Sequence, residues 1–247
     1  IWDAVTGALL SRLRSNAGPA YAAAFSSNVG RLAIAHEPAT VTVWDTASSK
    51  KLASFKQRDM VVSLGFSADE TRIAVGGQQS RAAIWDLAPP RLLLWLPWQA
   101  DRSGVRTNAI RSVAFSPDGK LVAAVGTAGS VQLWNTADGR AIGFEIKDQF
   151  GLTTAAFSPD STDLAVGDKE GAITVRDIAS GRVIAKLEGH GGPVNNLAYA
   201  PNGRRLFSGG EDRLVRVWQV DLASELTAFA GHVAPVRALA VGPDGLR

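Results

Sequence analysis

One aromatic landmark recurs at a nearly constant interval along the whole chain. The successive spacings between its occurrences are 42, 41, 49, 42 and 42 residues. The landmark is a tryptophan, replaced once by an arginine, and it stands at Trp2, Trp44, Trp85, Trp134, Arg176 and Trp218. Self-similarity at a fixed interval of this size is the sequence signature of a repeat architecture.

A second landmark keeps the same period. An aromatic residue is followed by a small residue and a turn, most fully in the segment Phe115-Ser116-Pro117-Asp118-Gly119. Related segments begin at Phe25, Phe66, Phe157 and Tyr199. Because two independent landmarks share one period, we expect the whole chain, residues 1–247, to form a single repeat domain.

The best-formed unit covers residues 189–219. Its apolar runs are short, rich in β-branched and aromatic residues, and bounded by Gly, Pro, Asn or Asp, which predicts strands joined by tight turns. By the same pattern we expect the first strand of four of the units at Ala20–Phe25, Ile110–Phe115, Leu152–Phe157 and Val194–Tyr199.

With these landmarks the chain resembles the WD-repeat β-propeller family over its whole length, in a divergent form similar to bacterial members. The resemblance implies an all-β propeller whose blades have four antiparallel strands, a to d, with strand a innermost. Five units are complete. The N-terminus would add strands c and d, the latter at 8–13, and the C-terminus would add a strand a at 236–241. Six blades result if the ends meet, whereas the family's habit favours a parent ring of seven.

The resemblance also implies a hydrogen-bonded tetrad in a well-formed blade. The matching residues are His190, Ser208, Asp212 and Trp218. Other units depart from this pattern, as with Ala124 at the Ser position and Arg176 at the Trp position. We therefore expect apolar packing rather than the tetrad to hold most blades together.

Members of this family often contact partners on the narrow face, where the d–a and b–c loops lie. One contact position stands four residues before the aromatic landmark, and here it matches Tyr21, Val62, Arg111, Thr153, Asn195 and Arg237. The other precedes the tetrad Asp position, and it matches Glu37, Gln78, Thr127, Lys169 and Glu211. Any one of these residues is compatible with plain solvent exposure, so only the two sets together predict a binding surface. We call the surface formed by these two sets the narrow face.

The single departure from the period is the 49-residue interval between Trp85 and Trp134. The favoured interpretation is an outer strand d followed by a longer loop, because loops tolerate insertions cheaply. The alternative is that Trp95 or Trp98 is an exposed anchor for a partner, since tryptophan is enriched among the residues that dominate binding energy.

Candidate catalytic and metal-ligating groups are few. The three histidines, His36, His190 and His232, have no metal-ligand spacing, and the chain has no cysteine. Glycine pairs such as Gly76-Gly77 lack the Lys-Ser/Thr of a phosphate loop. We expect no enzymatic activity, no catalytic residue, no metal, no cofactor and no small-molecule substrate.

The leading hypothesis is a protein-interaction scaffold whose partner is another protein or a peptide. A nucleic-acid-binding propeller is an alternative, but the basic residues are dispersed and the net charge is only +3, whereas a nucleic-acid surface needs a contiguous basic stripe. A further alternative is a regulatory domain attached to an effector enzyme, such as a kinase or peptidase, outside this chain. No apolar run approaches a membrane span, so no membrane partner is expected, and the cytoplasm is favoured. Because the chain starts inside a strand and without Met, we expect it to be a fragment.

Overall fold

A computed structural model describes residues 1–2, 6–13, 18–79, 81–98, 109–127, 129–147 and 151–242. These residues form strands and turns and contain no helix. Consequently none of them belongs to a helix that could cross a membrane. The expected all-β class is confirmed.

The strands form five four-stranded antiparallel sheets, each built from four consecutive strands. Sheet 1 contains β1 (Ala20–Phe25), β2 (Arg31–His36), β3 (Thr40–Asp45) and β4 (Lys51–Lys56). Sheet 2 contains β5 (Val61–Phe66), β6 (Arg72–Gly77), β7 (Arg81–Leu87) and β8 (Pro90–Leu96). Sheet 3 contains β9 (Ile110–Phe115), β10 (Leu121–Gly126), β11 (Ser130–Asn135) and β12 (Ala141–Lys147). Sheet 4 contains β13 (Leu152–Phe157), β14 (Asp163–Asp168), β15 (Ala172–Asp177) and β16 (Val183–Glu188). Sheet 5 contains β17 (Val194–Tyr199), β18 (Arg205–Gly210), β19 (Val215–Gln219) and β20 (Ser224–Phe229).

The second strand of each sheet is the most deeply buried element. Ile73, Leu164 and Leu206 in these strands have no exposed surface. Such strands read as continuous apolar runs rather than as alternating patterns, because both of their faces meet protein. Their side chains supply the most deeply buried part of the core in each sheet.

Successive sheets pack against each other through their first strands. At the junction of sheets 2 and 3, the β9 residues Ile110, Val113 and Phe115 pack on Ala74 and Ile84 of the preceding sheet. The junction of sheets 3 and 4 has the same construction. This burial of apolar surface drives the association of neighbouring sheets, which agrees with the expectation that apolar packing dominates.

A glycine near the end of the second strand allows the next unit to approach closely. A Cβ atom at Gly76 would lie 2.9 Å from a methyl carbon of Val113, and one at Gly167 would lie 2.8 Å from the Cβ of Val194. At Gly209 the same atom would lie 2.6 Å from a methyl carbon of Val236. Any side chain at these positions would push adjacent units apart.

The two ends of the chain are less regular than expected. The segment 8–13 forms only one bridge, between Trp2 and Leu9, and 236–241 forms no strand, so both expected end strands are wrong in extent. The amide of Val236 donates to the carbonyl of Gly210 at 3.0 Å. A single strand without a lateral partner gains too few ladder bonds to stay regular. The described sheets do not close into a ring, and a count beyond five blades stays a prediction.

Candidate partner-binding site

The first strand of every sheet carries one extra residue at the same place. In sheet 2, Val61 pairs with Gly77 and Ser63 with Gly76, which leaves Val62 outside the ladder. This irregularity is a β-bulge, a device that re-aims a side chain. The bulge residues of the other four sheets are Tyr21, Arg111, Thr153 and Asn195. Five of the six strand a positions predicted on the narrow face therefore coincide with bulges.

The second set of narrow-face residues lies at the same end of each sheet. The amide of Gln78 donates to the carbonyl of Met60 at 2.9 Å, just before the bulge at Val62. Equivalent bonds, at 2.9 to 3.1 Å, join Glu37 to Pro19, Thr127 to Ala109, Lys169 to Gly151 and Glu211 to Pro193. Each second-set residue is thus held beside the bulge of its own sheet.

The first set converges on one cavity of about 360 Å³. Its lining includes all six members of that set, Tyr21, Val62, Arg111, Thr153, Asn195 and Arg237. It also includes the polar residue that follows the bulge in four sheets, Ser63, Ser112, Thr154 and Asn196. Sequence reasoning missed these four, because a bulge breaks the alternation that would otherwise send consecutive side chains to opposite faces. Their polar character directly after each bulge position is the signal that could have revealed them.

Two members of the first set are engaged in holding adjacent units together. The Thr153 hydroxyl lies within hydrogen-bond distance of the carbonyls of Gly167 and Val194, and it can donate to one of them at a time. The amide nitrogen of Asn195 donates to the carbonyl of Val236 at 2.9 Å. By contrast, Tyr21 is 46% exposed, and Arg111 and Arg237 are also exposed. The exposed side chains of the first set are therefore those of one tyrosine and two arginines.

The two tryptophans of the long interval occupy different environments. Trp95 lies in β8, the outermost strand of sheet 2, where it is 38% exposed and the guanidinium carbon of Arg58 lies 5.6 Å from its ring centre. Trp98 is half-buried, with its ring centre 5.6 Å from that of Trp134. The expected outer strand is confirmed, whereas the longer loop, at 99–108, lies outside the described residues.

Sheet 5 contains four polar side chains joined in a line by hydrogen bonds. The Trp218 indole N–H donates to the Ser208 hydroxyl oxygen at 2.8 Å. That oxygen lies 2.7 Å from Nε2 of His190, and Nδ1 of the same ring lies 2.9 Å from both carboxylate oxygens of Asp212. A neutral imidazole with its proton on Nδ1 satisfies every group, because Ser208 can then donate to Nε2.

The protonation of this network follows from its environment. Burial lowers the pKa of His190 below its ordinary value, and the Asp212 carboxylate offsets part of that effect. Burial by itself raises the pKa of Asp212, but hydrogen bonds from His190 and from the amides of Gly191 and Leu214 outweigh it and lower the pKa. The folded state therefore favours neutral imidazole beside an ionised carboxylate.

Comparison with known families agrees with this geometry. A family model described as WD domain, G-beta repeat matches residues 103–135 and 181–219. The second match spans the network of sheet 5, and the repeated four-stranded antiparallel sheets extend the same architecture to the other units. The two matched repeats and the five four-stranded antiparallel sheets fit a WD-repeat propeller. A search among curated proteins finds no match to it.

In two other sheets the indole N–H of the equivalent tryptophan donates to a different partner. In sheet 2 the Trp85 indole donates to the side-chain oxygen of Gln57 at 3.2 Å. In sheet 3 the Trp134 indole donates to the carbonyl of Pro97 at 3.2 Å. Gln57 was not anticipated, although it precedes Trp85 by the same interval as His190 precedes Trp218, and that spacing could have identified it.

The connectivity Asp212–His190–Ser208 equals that of a Ser-His-Asp catalytic triad. Here, however, Ser208 has no exposed surface, and its oxygen already accepts the Trp218 N–H. A substrate carbonyl has no access to this hydroxyl, so the three residues have a structural role here. Within the described ranges, no group of three His, Cys, Asp or Glu residues could hold a metal ion.

Proposed function

We propose that this WD-repeat chain is a non-catalytic scaffold that binds a protein or peptide on its narrow face. WD-repeat propellers in general serve as protein-interaction domains. The observation that carries the proposal is the bulge repeated in all five sheets, because it directs one side chain per sheet into a shared cavity. Rigid strands holding the contact residues reduce the ordering cost of binding.

The contact residues have separate roles in this proposal. Tyr21, Arg111 and Arg237 are the principal contacts, since tyrosine and arginine supply most of the energy in protein interfaces. Thr153 and Asn195 shape the cavity through their bonds to neighbouring units. Val62 adds an apolar side chain to the lining. In this proposal the second set forms the rim, at Glu37, Gln78, Thr127, Lys169 and Glu211.

Trp95 offers a second contact on the outer strand of sheet 2. Its exposed ring and the Arg58 guanidinium above it form a flat, partly apolar surface. Trp98 supports this contact by packing against Trp134. The proposal therefore assigns direct contact to Trp95 and a supporting role to Trp98.

Site-specific photo-crosslinking tests the proposal. A photoreactive phenylalanine analogue replaces Val62 on the narrow face, and in a matched protein it replaces Ala47, which is exposed in the turn at the opposite end of sheet 1. We expect a discrete protein adduct from source-cell extract at position 62 but not at position 47. The adduct at 62 should disappear when Tyr21, Arg111 and Arg237 are all changed to Ala.

The proposal is overturned if no protein adduct forms at position 62, and two further outcomes would overturn it as well. One is a protein adduct at position 47 that is absent from position 62, which would move the site to the opposite end of the sheets. The other is an adduct made only of nuclease-sensitive material, with binding that weakens steeply between about 50 mM and about 300 mM salt, as expected for a nucleic-acid ligand.

A further inference from the structure

The charged groups of the cavity all have one sign. Among the described residues that line it, the only charged side chains are those of Arg111 and Arg237. Neither guanidinium has an ion-pair partner within the described part of the chain. Both arginines are exposed, so their donors are available to a ligand.

The acidic residues at the rim form no ion pair with these two arginines within the described part of the chain. The Glu37 carboxylate accepts from the Tyr21 hydroxyl at 3.4 Å, and the Glu211 carboxylate accepts from the Asn195 amide at 3.3 Å. Each acid thus has a neutral donor as its partner. The rim also carries Lys169, whose ammonium nitrogen lies 3.1 Å from the position of a Cβ atom built on Gly151, against the lining strand β13. With Arg111 and Arg237 in the lining and Lys169, Glu37 and Glu211 at the rim, the cavity and its rim keep one net positive charge.

The neutral part of the lining is polar rather than apolar. Ser112, Thr154 and Asn196 follow the bulges of three successive sheets and contribute hydroxyl and amide groups to the wall. Such groups can donate hydrogen bonds to a bound anion at modest cost. A long apolar side chain would instead leave them without water or partner.

Building on the proposed function, we propose that the partner inserts an acidic segment whose carboxylate is bound by Arg111 and Arg237. The planar guanidinium donates two parallel hydrogen bonds to a carboxylate, and this pairing is stronger than one between neutral groups. A concave wall focuses the field of the two cations and favours the approach of negative charge. A basic segment would meet like charge at the same place.

The size of the cavity selects a side chain rather than a polymer backbone. A volume of about 360 Å³ lies at the lower end of the range of ligand pockets, so it accommodates one or two side chains of a peptide. Two separate cations, one on β9 and one in the segment that follows sheet 5, do not make the continuous basic stripe that tracks a phosphate backbone. We therefore assign the site to an acidic peptide rather than to a nucleic acid.

Fluorescence anisotropy with defined probes tests this inference. The probes are labelled octapeptides that alternate Ala with Glu, Gln or Lys, together with a labelled oligothymidine. We expect the Glu peptide to bind at least about tenfold more tightly than the Gln peptide, because a hydrogen bond to a charged group outweighs a neutral one. The Lys peptide and the oligothymidine should bind more weakly than the Glu peptide.

Matched variants locate the binding. Arg111→Gln should weaken binding of the Glu peptide about tenfold. The affinity of Arg111→Lys should lie between that of Arg111→Gln and that of the parent protein, because lysine keeps the charge but cannot donate two parallel hydrogen bonds. Arg182→Gln removes the same charge from an exposed turn at the opposite end of sheet 4 and should leave the dissociation constant unchanged. Equal loss in the Arg111 and Arg182 variants would overturn the inference, as would Gln or Lys peptides or oligothymidine binding as tightly as Glu.

Failure of this inference is distinguishable from failure of the proposed function. If position 62 crosslinks a protein partner but the Glu peptide does not bind, the proposed scaffold function is retained and the proposal of an acidic partner segment is rejected. If no partner crosslinks at position 62, the proposed function falls regardless of the peptide result.

Discussion

The stability of sheet 5 depends on whether the imidazole of His190 is protonated. Its pKa is lower in the folded chain than the ordinary value of 6.5, because burial disfavours the imidazolium form. A group whose pKa is lower in the folded state stabilises the fold fully at pH values above its unfolded-state pKa. That contribution to the free energy of unfolding is lost as the pH falls through the folded-state pKa. We expect the free energy of unfolding, measured with urea between about pH 8 and about pH 5, to decline below about pH 6.5.

The control for this pH dependence is His190→Gln. Glutamine does not titrate, and sheet 2 already uses Gln57 at the equivalent place. The variant should show a flatter profile across the same range. The lowered pKa values of Asp69, Asp118 and Asp160 act at lower pH, below the ordinary value of 3.8, and do not contribute to this window. An unchanged slope in the variant would assign the pH dependence to another group.

Tyr199 carries a hydroxyl that its environment does not use. The Oη atom is buried and has no hydrogen-bond partner among the described residues. Burial raises the pKa of Tyr199, with a further contribution from Asp163, so the group stays neutral. Removing a buried, unpaired hydroxyl is expected to be neutral or stabilising by about 1 kcal/mol. Tyr199→Phe should therefore leave the melting temperature unchanged or raise it, and a clear decrease would indicate a partner for the hydroxyl.

At the scale of elements, the first strands differ in how much of their apolar face is covered. Phe115 in β9 is 9% exposed between sheets 2 and 3, whereas its counterpart Phe25 in β1 is 50% exposed. Phe115→Ala should cost about 3–4 kcal/mol of unfolding free energy, because it opens a cavity in a packed junction. Phe25→Ala should cost less than about 1 kcal/mol. Chemical denaturation of both variants measures the contrast, and equal losses would mean that β1 is packed as tightly as β9.

The bounds of several elements could be predicted from sequence. The first strands at Ile110–Phe115, Leu152–Phe157 and Val194–Tyr199 match their expected limits, because each apolar run is closed by an aromatic landmark and a turn. Sequence also identified one residue per sheet that lines the cavity, through the family's spacing. It did not indicate that Val62 is a bulge, since that depends on the register with β6 and not on local composition. The inward position of Trp98 depends on a distant partner, Trp134, in the same way.

For the whole molecule, stability should vary along the array. The main contacts between the described sheets join neighbours in the array, β1 with β5, β5 with β9, β9 with β13 and β13 with β17. Total stability is therefore close to a sum of sheet and junction contributions. Sheets 2 to 4 are packed on both sides, whereas Ala20, Ala23 and Phe25 leave the outer face of β1 open. Hydrogen exchange measured by mass spectrometry should be slower in β10 than in β2, although both are second strands. Equal protection would mean that the face of β1 is covered in solution.

The bulges have a consequence for how a chain of this kind can change over evolutionary time. The residue at each bulge lies outside the ladder, so exchanging its side chain breaks no rung of the sheet. Most other strand positions are committed to cores or registers. Diversity can therefore accumulate at Tyr21, Val62 and Arg111 while the architecture is inherited unchanged. Because these side chains are independent of the strand ladder, the same positions are suitable for randomisation in the laboratory. Libraries varied there would keep the fold and could be selected for new binding specificities.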